Sequence, residues 1–258
     1  PRTIFIPTGD EIIPAGEWIL GDVREWAKVP ETNSYMLRKL FYDRGFPLDV
    51  HELVRDDERL ISEAALESLE VYDLVIIGAG TAKGKRDHSA GVIEKLSAPL
   101  FRGVRMKPGR PVIAGVSSNK PLVALPGFPM SALVTCWSII NPLLRRLYGE
   151  TSAPSPEEAV GASEILETKF LLHHSSQQGV LEWLRVKCGE IDGTIYSWPL
   201  PAGASSTFSI SDSDGFALLG PSVLEVPKGS NIEILLRKKV DFEKRVVYQG
   251  SNDPAIER

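Results

Sequence analysis

The sequence predicts an α/β fold: a three-layer α/β/α domain followed by a second, small all-β domain. Three observations carry this. Over residues 1–150, short apolar strands alternate with helical stretches in the order β-α-β-α-β, followed by two late strands and a long helix. One strand, Val71-Tyr72-Asp73-Leu74-Val75-Ile76-Ile77, is almost continuously apolar, as suits a parallel sheet covered on both faces. After Gly161 the texture changes to short strands with polar interruptions, punctuated by Gly193, Gly203, Gly215, Gly220 and Gly229.

Taken in order, Thr3 to Pro7 reads as the first strand, and Thr8-Gly9-Asp10-Glu11 as a polar loop after it. Thr32-Asn33-Ser34 can cap a helix carrying Leu37, Leu40 and Phe41 at helical spacing, which Gly45 stops. Pro47 to Val54 is a second strand. Asp56-Asp57-Glu58 opens the next helix, where Leu60, Ala64, Leu66 and Leu69 recur; acids suit a helix start because its free amides carry partial positive charge. The strand 71–77 runs into Gly78-Ala79-Gly80-Thr81. Val112 to Gly115 and Leu122 to Leu125 are further strands. Leu125 leads into Pro126-Gly127-Phe128-Pro129 and a helix holding Leu133, Val134, Trp137 and Ile140. Residues 151–160 read as a linker. Beyond it, Ile165 to Leu172, Leu181 to Val186, the region of Trp198, Phe208 to Ile210, Phe216 to Leu219 and Ile232 to Leu236 read as strands of a barrel or sandwich. The expected domains are therefore 1–150 and 161–242, with a polar tail over 243–258.

Composition narrows the function classes. At 258 residues, 43% apolar and 24% charged, long disorder, a collagen repeat and a coiled coil are excluded. Two cysteines, Cys136 and Cys188, exclude a disulfide scaffold and read as free thiols in a reducing compartment, the cytoplasm. No apolar run reaches the ~18 residues of a membrane span, and Pro142 interrupts the longest candidate. The opening residues lack a signal-peptide core, and the absence of a leading methionine points to a fragment or a trimmed chain. A net charge of −5 argues against a general nucleic-acid binder. Against that average, residues 83–120 hold nine bases and two acids, either a solvated basic face or a site for a small anion. The glycine-rich loops within the stretch favour the second.

The loop Gly78-Ala79-Gly80-Thr81-Ala82-Lys83-Gly84 follows a strand, and its small residues let backbone amides approach a phosphate. It is neither a P-loop nor a dinucleotide fingerprint, and a turn without a ligand is the other reading. Lys83, Lys85 and Arg86 can neutralise phosphate charge. Asp10-Glu11 and Asp87 stand just past separate strands, where carboxylates either cap turns or hold Mg²⁺ with hard oxygens. None of His51, His88, His173 and His174 has zinc-ligand spacing, and His173-His174 reads as surface. Ser131 has no nucleophile elbow, so hydrolase chemistry is not expected.

At these loops the sequence resembles the molybdenum cofactor biosynthesis family, of the molybdopterin molybdenumtransferase type (MoeA and the E domain of gephyrin). Pro1-Arg2 through Thr8-Gly9-Asp10-Glu11 is similar to the family's opening, and Glu31-Thr32-Asn33-Ser34 to its aspartate-x-asparagine-serine segment. Gly78 through Asp87, Met106-Lys107-Pro108-Gly109-Arg110-Pro111 and Leu125-Pro126-Gly127-Phe128-Pro129 are similar to three further segments. Late in the chain, Asp214-Gly215 resembles an aspartate/asparagine-glycine pair. The resemblance implies the family's last two domains, a molybdopterin-binding-like α/β domain and a β-barrel-like one. It implies insertion of molybdate into adenylylated molybdopterin with release of AMP, using Mg²⁺. It assigns Asp10, Glu31 and Asp87 catalytic roles, with Asp10 and Asp87 at the metal. Thr8, Gly9, Gly78, Gly80, Thr81, Lys83, Gly84, Lys85 and Arg86 are assigned to the phosphate side, and Lys107, Pro108, Pro126 and Gly127 to the pterin and molybdate side. A pterin nucleotide partner, a homodimer and other molybdenum cofactor biosynthesis proteins are implied, with no nucleic acid and no membrane. Glu31 for aspartate, Ala79 for glycine, Ala82 for serine and Phe128 for asparagine depart from the family pattern. They keep two alternatives open, a non-catalytic pterin-binding or scaffold module and a molybdopterin adenylyltransferase.

Overall fold

The structure, a computed structural model, describes residues 1–20, 28–78, 88–200 and 207–242. The chain divides into two compact units. The first comprises Pro1–Val104, Gly109–Cys136 and Leu143–Glu150; the second comprises Arg105–Pro108, Trp137–Pro142 and the chain from Thr151 onward. A single cut near residue 150 thus does not describe the division, because two short stretches of the earlier chain belong with the later one.

The first unit runs β1 (Thr3–Ile6), β2 (Ile12–Pro14), α1 (Ala15–Leu20), β3 (Val29–Glu31), α2 (Asn33–Tyr42), β4 (Leu48–Val50), α3 (Glu58–Val71), β5 (Leu74–Gly78), α4 (His88–Leu96) and β6 (Ala98–Arg102). After β7 (Met106–Lys107) come β8 (Ile113–Ser117), β9 (Lys120–Leu125) and α5 (Pro129–Thr135), then a π-helical turn at Cys136–Ile140 and α6 (Asn141–Leu147). The main sheet has strand order β4-β1-β5-β9-β8-β6. β4, β1, β5 and β9 are mutually parallel, while β8 runs antiparallel to β9 and to β6. One face, with Ile4, Ile6, Val75, Ile77, Leu122 and Ala124, is buried with Ile61, Ala64, Ala65 and Leu69 of α3 and Val92 and Ile93 of α4. The opposite face, with Phe5, Ile76, Val123 and Leu125, is equally buried. The α/β layering expected from the apolar strands is therefore present.

Several details differ from the sequence expectation. Val71 ends α3 rather than beginning the strand: the Tyr72 amide still reaches back to the Ser68 carbonyl, and β5 starts only at Leu74. Leu66 is exposed on α3, and Ile61 and Ala65 fill the core face instead. Asp57 caps α3 as the acidic run predicts, its carboxylate accepting from the amides of Arg59 (2.9 Å) and Leu60 (3.0 Å). Those bonds hold its carboxyl below the usual range.

The cap of α2 is not Thr32, whose side chain makes no capping bond. Glu31 takes that task. Its Oε1 accepts from the Ser34 amide (3.0 Å), its Oε2 accepts from the Ser34 hydroxyl, and the residue is only 9% exposed. Glu31→Ala is expected to lower stability by about 1–2 kcal/mol, as loss of a helix cap does, read as a lower midpoint of urea unfolding.

In the second unit, α7 (Pro156–Val160) occupies part of the expected linker. A capping box between Ser155 and Glu158 starts it, and Gly161 ends it. There follow β10 (Glu164–Phe170), β11 (His174–Ser175), β12 (Leu181–Ile191), β13 (Thr194–Pro199), α8 (Thr207–Asp212), β14 (Gly215–Leu219), β15 (Glu225–Val226) and β16 (Asn231–Leu236). The expected strand at Phe208 to Ile210 is the helix α8. Pairings β10–β13, β13–β12, β12–β14, β14–β16 and β16–β10 close a ring, so the module is a barrel and not a sandwich. Phe170, Leu184, Val186, Cys188, Ala217, Leu219, Ile234 and Leu236 form its core. Trp183 and Phe216, which alternate with these inward residues, pack instead with Trp137. β7 adds to β12 in parallel, placing Met106 opposite Leu181 and Lys107 opposite Glu182.

Candidate functional site

Strand order locates the site in the first unit. From β1 the chain moves to β4 on one side, then returns to β5 and β9 on the other. Connections that diverge in this way leave a crevice at the carboxyl ends of the two central strands, here β1 and β5. The residues that follow β1 and β9 and the last residue of β5 lie along that edge.

Their local geometry is held by backbone and hydroxyl bonds. The Thr8 hydroxyl donates to the Gly78 carbonyl, which ties the loop after β1 to the end of β5. Gly78 in turn lies opposite Leu125, immediately before Pro126-Gly127. The Gly9 amide donates to the Val54 carbonyl (3.1 Å), and the Val54 amide donates to that of Pro7 (2.9 Å). Gly9 has φ +146°, and a Cβ there would lie 3.1 Å from Glu11 Oε2, so the turn favours glycine. From α2, Asn33 Nδ2 donates to the Gly127 carbonyl (2.8 Å), pinning the loop after β9. Asn33 Oδ1 is buried with no hydrogen-bond partner.

Asp10 sits on this edge with its side chain half exposed. Asp10 Oδ1 accepts from the Asp56 amide (3.3 Å) and from Arg55 Nε (3.4 Å), both long, while Lys28 Nζ donates to the Asp10 carbonyl (2.6 Å). The Asp10 amide faces Asp56 Oδ2 at 3.4 Å, so each of the two aspartates turns its carboxylate to the other's backbone amide. A half-exposed carboxylate such as that of Asp10 is the kind of oxygen donor Mg²⁺ takes, with water and phosphate oxygens at its remaining positions. Among the described residues, no cluster of three or more potential ligands could hold a metal alone.

The structure thus brings together Thr8, Gly9, Asp10, Gly78, Pro126 and Gly127. Gly80, Thr81, Lys83, Gly84, Lys85, Arg86 and Asp87 lie outside the described residues. Glu31, expected to be catalytic, has both carboxylate oxygens engaged at the start of α2. Lys107 and Pro108 belong to the second unit.

There Lys107 Nζ lies 2.8 Å from Glu182 Oε1, while Glu182 Oε2 accepts from the Ser176 hydroxyl (2.8 Å) and lies 3.2 Å from His174 Nε2. Burial alone would push the Glu182 carboxyl up. The bonds from Lys107, Ser176 and His174 outweigh it and hold the group below the usual carboxylate range. His174 is therefore not a surface residue like His173; its side chain is 17% exposed. Burial pushes the Cys136 thiol up, which keeps it protonated and inert.

Sequence reasoning passed over Asn33, Asp56, His174 and Glu182 as site residues. Asn33 lay within a recognised segment, and Asp56 was read only as a helix opener. Glu182 had a signal: it is an acid inside the apolar run Leu181 to Leu184.

The family pattern described as "Probable molybdopterin binding domain" matches residues 4–146. The chain belongs to that molybdopterin-binding family. Among its relatives, molybdopterin molybdenumtransferase 2 of Mycobacterium tuberculosis is 26% identical over 243 residues, covering 90% of this chain and 56% of that protein. The molybdopterin molybdenumtransferase of Haemophilus influenzae is 28% identical over 151 residues, covering 58% and 36%. The crystal structure of the molybdopterin biosynthesis MoeA protein of Pyrococcus horikoshii aligns with a TM-score of 0.71 at 26% identity, over 93% of this chain and 55% of that one. The chain thus spans about half or less of the length of these relatives. Among the described residues, no helix is long and apolar enough to cross a membrane.

Proposed function

We propose that this chain binds adenylylated molybdopterin and takes part in the insertion of molybdate with release of AMP. One observation carries the reading: at the diverging carboxyl edge of the sheet the loop after β1 is tied to the end of β5, by Thr8 to Gly78, and the loop after β9 is tied to α2, by Asn33 to Gly127. The loops after β1 and β9 each carry a glycine, Gly9 and Gly127, whose backbone amide has no side chain of its own beside it, which suits a pyrophosphate. The names of the molybdenumtransferase relatives support the same chemistry.

In this reading Asp10 and Asp87 would hold Mg²⁺, which would supply charge neutralisation for the phosphates when bound. Thr8, Gly9, Gly78, Gly80, Thr81 and Gly84 shape the phosphate cradle. Lys83, Lys85 and Arg86 offset its charge. Pro126 and Gly127 line the pterin side. Pro108 fixes the backbone beside Lys107, and Lys107 contacts an oxyanion of the substrates. The chain works in the cytoplasm, as a homodimer, with other molybdenum cofactor biosynthesis proteins.

Calorimetric titration with AMP and Mg²⁺ tests the reading. Binding is expected, and Asp10→Asn should weaken its Mg²⁺-dependent part about tenfold, roughly 1.4 kcal/mol. Absence of AMP binding with and without Mg²⁺ overturns it. A second reading, binding without turnover, is favoured by Glu31, whose carboxylate is committed to Ser34. Pterin binding without molybdate-dependent AMP release would select that one.

A further inference from the structure

We propose that Glu182 is a positioning residue, which holds the Lys107 ammonium in place for the oxyanion it contacts. The inference rests on the anion-contacting role given to Lys107 above. Its structural basis lies wholly within the second unit.

Backbone pairing sets the geometry first. β7 runs parallel to β12, so Lys107 stands directly opposite Glu182, and the Leu181 amide donates to the Arg105 carbonyl (2.9 Å) to hold the two strands in register. The carboxylate itself cannot swing away. Glu182 Oε2 is occupied by the Ser176 hydroxyl and faces His174 Nε2, which leaves Oε1 facing Lys107. His174 is fixed in turn by pairing of β11 with β15, where it lies opposite Val226.

Exposure distinguishes the two partners. The Glu182 side chain is 4% exposed and that of Lys107 is 50% exposed. The carboxylate therefore bears the cost of leaving water, while the ammonium keeps access to it. Desolvating the carboxylate offsets much of the attraction, so a pair of this kind adds little net stability. A lysine ammonium has three N–H donors on a flexible stem. Fixing one of them on a buried anchor orders the stem before a ligand arrives, and the outward donors remain for an anion. Outer partners that orient a ligating group in this way commonly matter tenfold or more.

The test is a double-mutant cycle on the whole chain. Molybdate and AMP are titrated separately by calorimetry into wild type, Glu182→Gln, Lys107→Ala and the double variant. The anion whose affinity falls in Lys107→Ala is the one that Lys107 contacts. For that anion, Glu182→Gln should weaken binding about tenfold, and the double variant should bind no more weakly than Lys107→Ala alone. Acetylation of Lys107 by acetic anhydride, read by mass spectrometry, should quicken in Glu182→Gln. Additive losses would show that Glu182 acts on something other than Lys107 and would overturn the proposal. So would wild-type affinity in Glu182→Gln. If Glu182→Gln does not fold, Glu182→Asp, which keeps the charge but withdraws it by one methylene, should bind with intermediate affinity; wild-type affinity there also overturns it. Wild type that binds neither anion removes the parent reading as well, which separates that failure from a failure of the positioning role.

Discussion

Replacing Trp137 by alanine is expected to destabilise the second unit by about 3–5 kcal/mol, the range for truncating a fully buried aromatic. Trp137 is completely buried. Its ring meets Phe216 edge-on at 5.1 Å between centroids and Trp183 at 5.8 Å, and the Arg237 guanidinium lies 4.9 Å above it. Alanine would remove the shared partner of both aromatics and leave a cavity that the rigid barrel strands cannot collapse. Trp137→Phe makes the comparison sharp. The indole N–H has no hydrogen-bond partner, so phenylalanine forfeits no hydrogen bond. It keeps a ring for Arg237 and should cost far less, about 1–2 kcal/mol. Urea unfolding followed by circular dichroism measures both, since fluorescence would lose one of its own reporters. Equal losses for the two variants would mean that the polar edge of the indole, and not its packed volume, carries the contribution.

The layered sheet was legible because its evidence is local. A strand such as Leu74 to Ile77, apolar at every position, must be covered on both faces wherever it lies. Asp57 before Glu58 marks a helix start through amides one turn away. What escaped the sequence is of two kinds. Short mixed runs are ambiguous: Phe208-Ser209-Ile210 alternates like a strand yet lies in α8, where the Ser213 amide reaches back to Ser209. Val71 and Tyr72 look like the opening of a β-strand, but α3 continues through the first and its C-terminal bond ends on the second. Distant pairings are the other kind. Nothing near Met106-Lys107 announces that it will become a strand beside Leu181-Glu182, because that partner is chosen by the folded barrel.

The candidate site divides along the same line. Thr8, Gly9 and Asp10 stand out in the sequence because small, hydroxylated and acidic residues directly after a strand have a chemical meaning in themselves. The capping bonds of Glu31 were not legible, because a carboxylate three residues before a serine reads equally as a ligand or as a cap, and only the folded backbone shows Ser34 on both oxygens. His174 was passed over because adjacent histidines in a polar stretch look solvated. In the fold, strand alternation sends His173 outward and turns His174 toward Glu182.

Asp214→Ala should also cost the barrel about 3–5 kcal/mol, because it breaks a buried charged network from one side. Asp214 is fully buried, with Oδ2 accepting from the Cys188 amide at 2.8 Å and Oδ1 lying 3.4 Å from Lys238 Nζ. Its own amide donates to the Val186 carbonyl, and its carbonyl accepts from the Arg237 amide. One residue therefore links β12 to the end of β16, just where β14 begins. Asp214→Asn retains an oxygen acceptor for Cys188 and gives up the full charge facing Lys238, a lysine that is itself partly in water, so about 1–2 kcal/mol is expected. The two losses, compared by chemical denaturation, decide whether the acceptor or the charge is what the position requires; similar losses would point to the charge. The neighbouring glycine bears on the interpretation. A Cβ on Gly215 would stand 2.3 Å from the Leu235 carbonyl oxygen, so β14 and β16 can approach closely only because that atom is missing. An acceptor followed at once by a residue without a side chain lets the chain satisfy β12 and then pass tight against β16 within two positions, and this gives the Asp214-Gly215 pair a purely structural reason to exist, independent of any ligand.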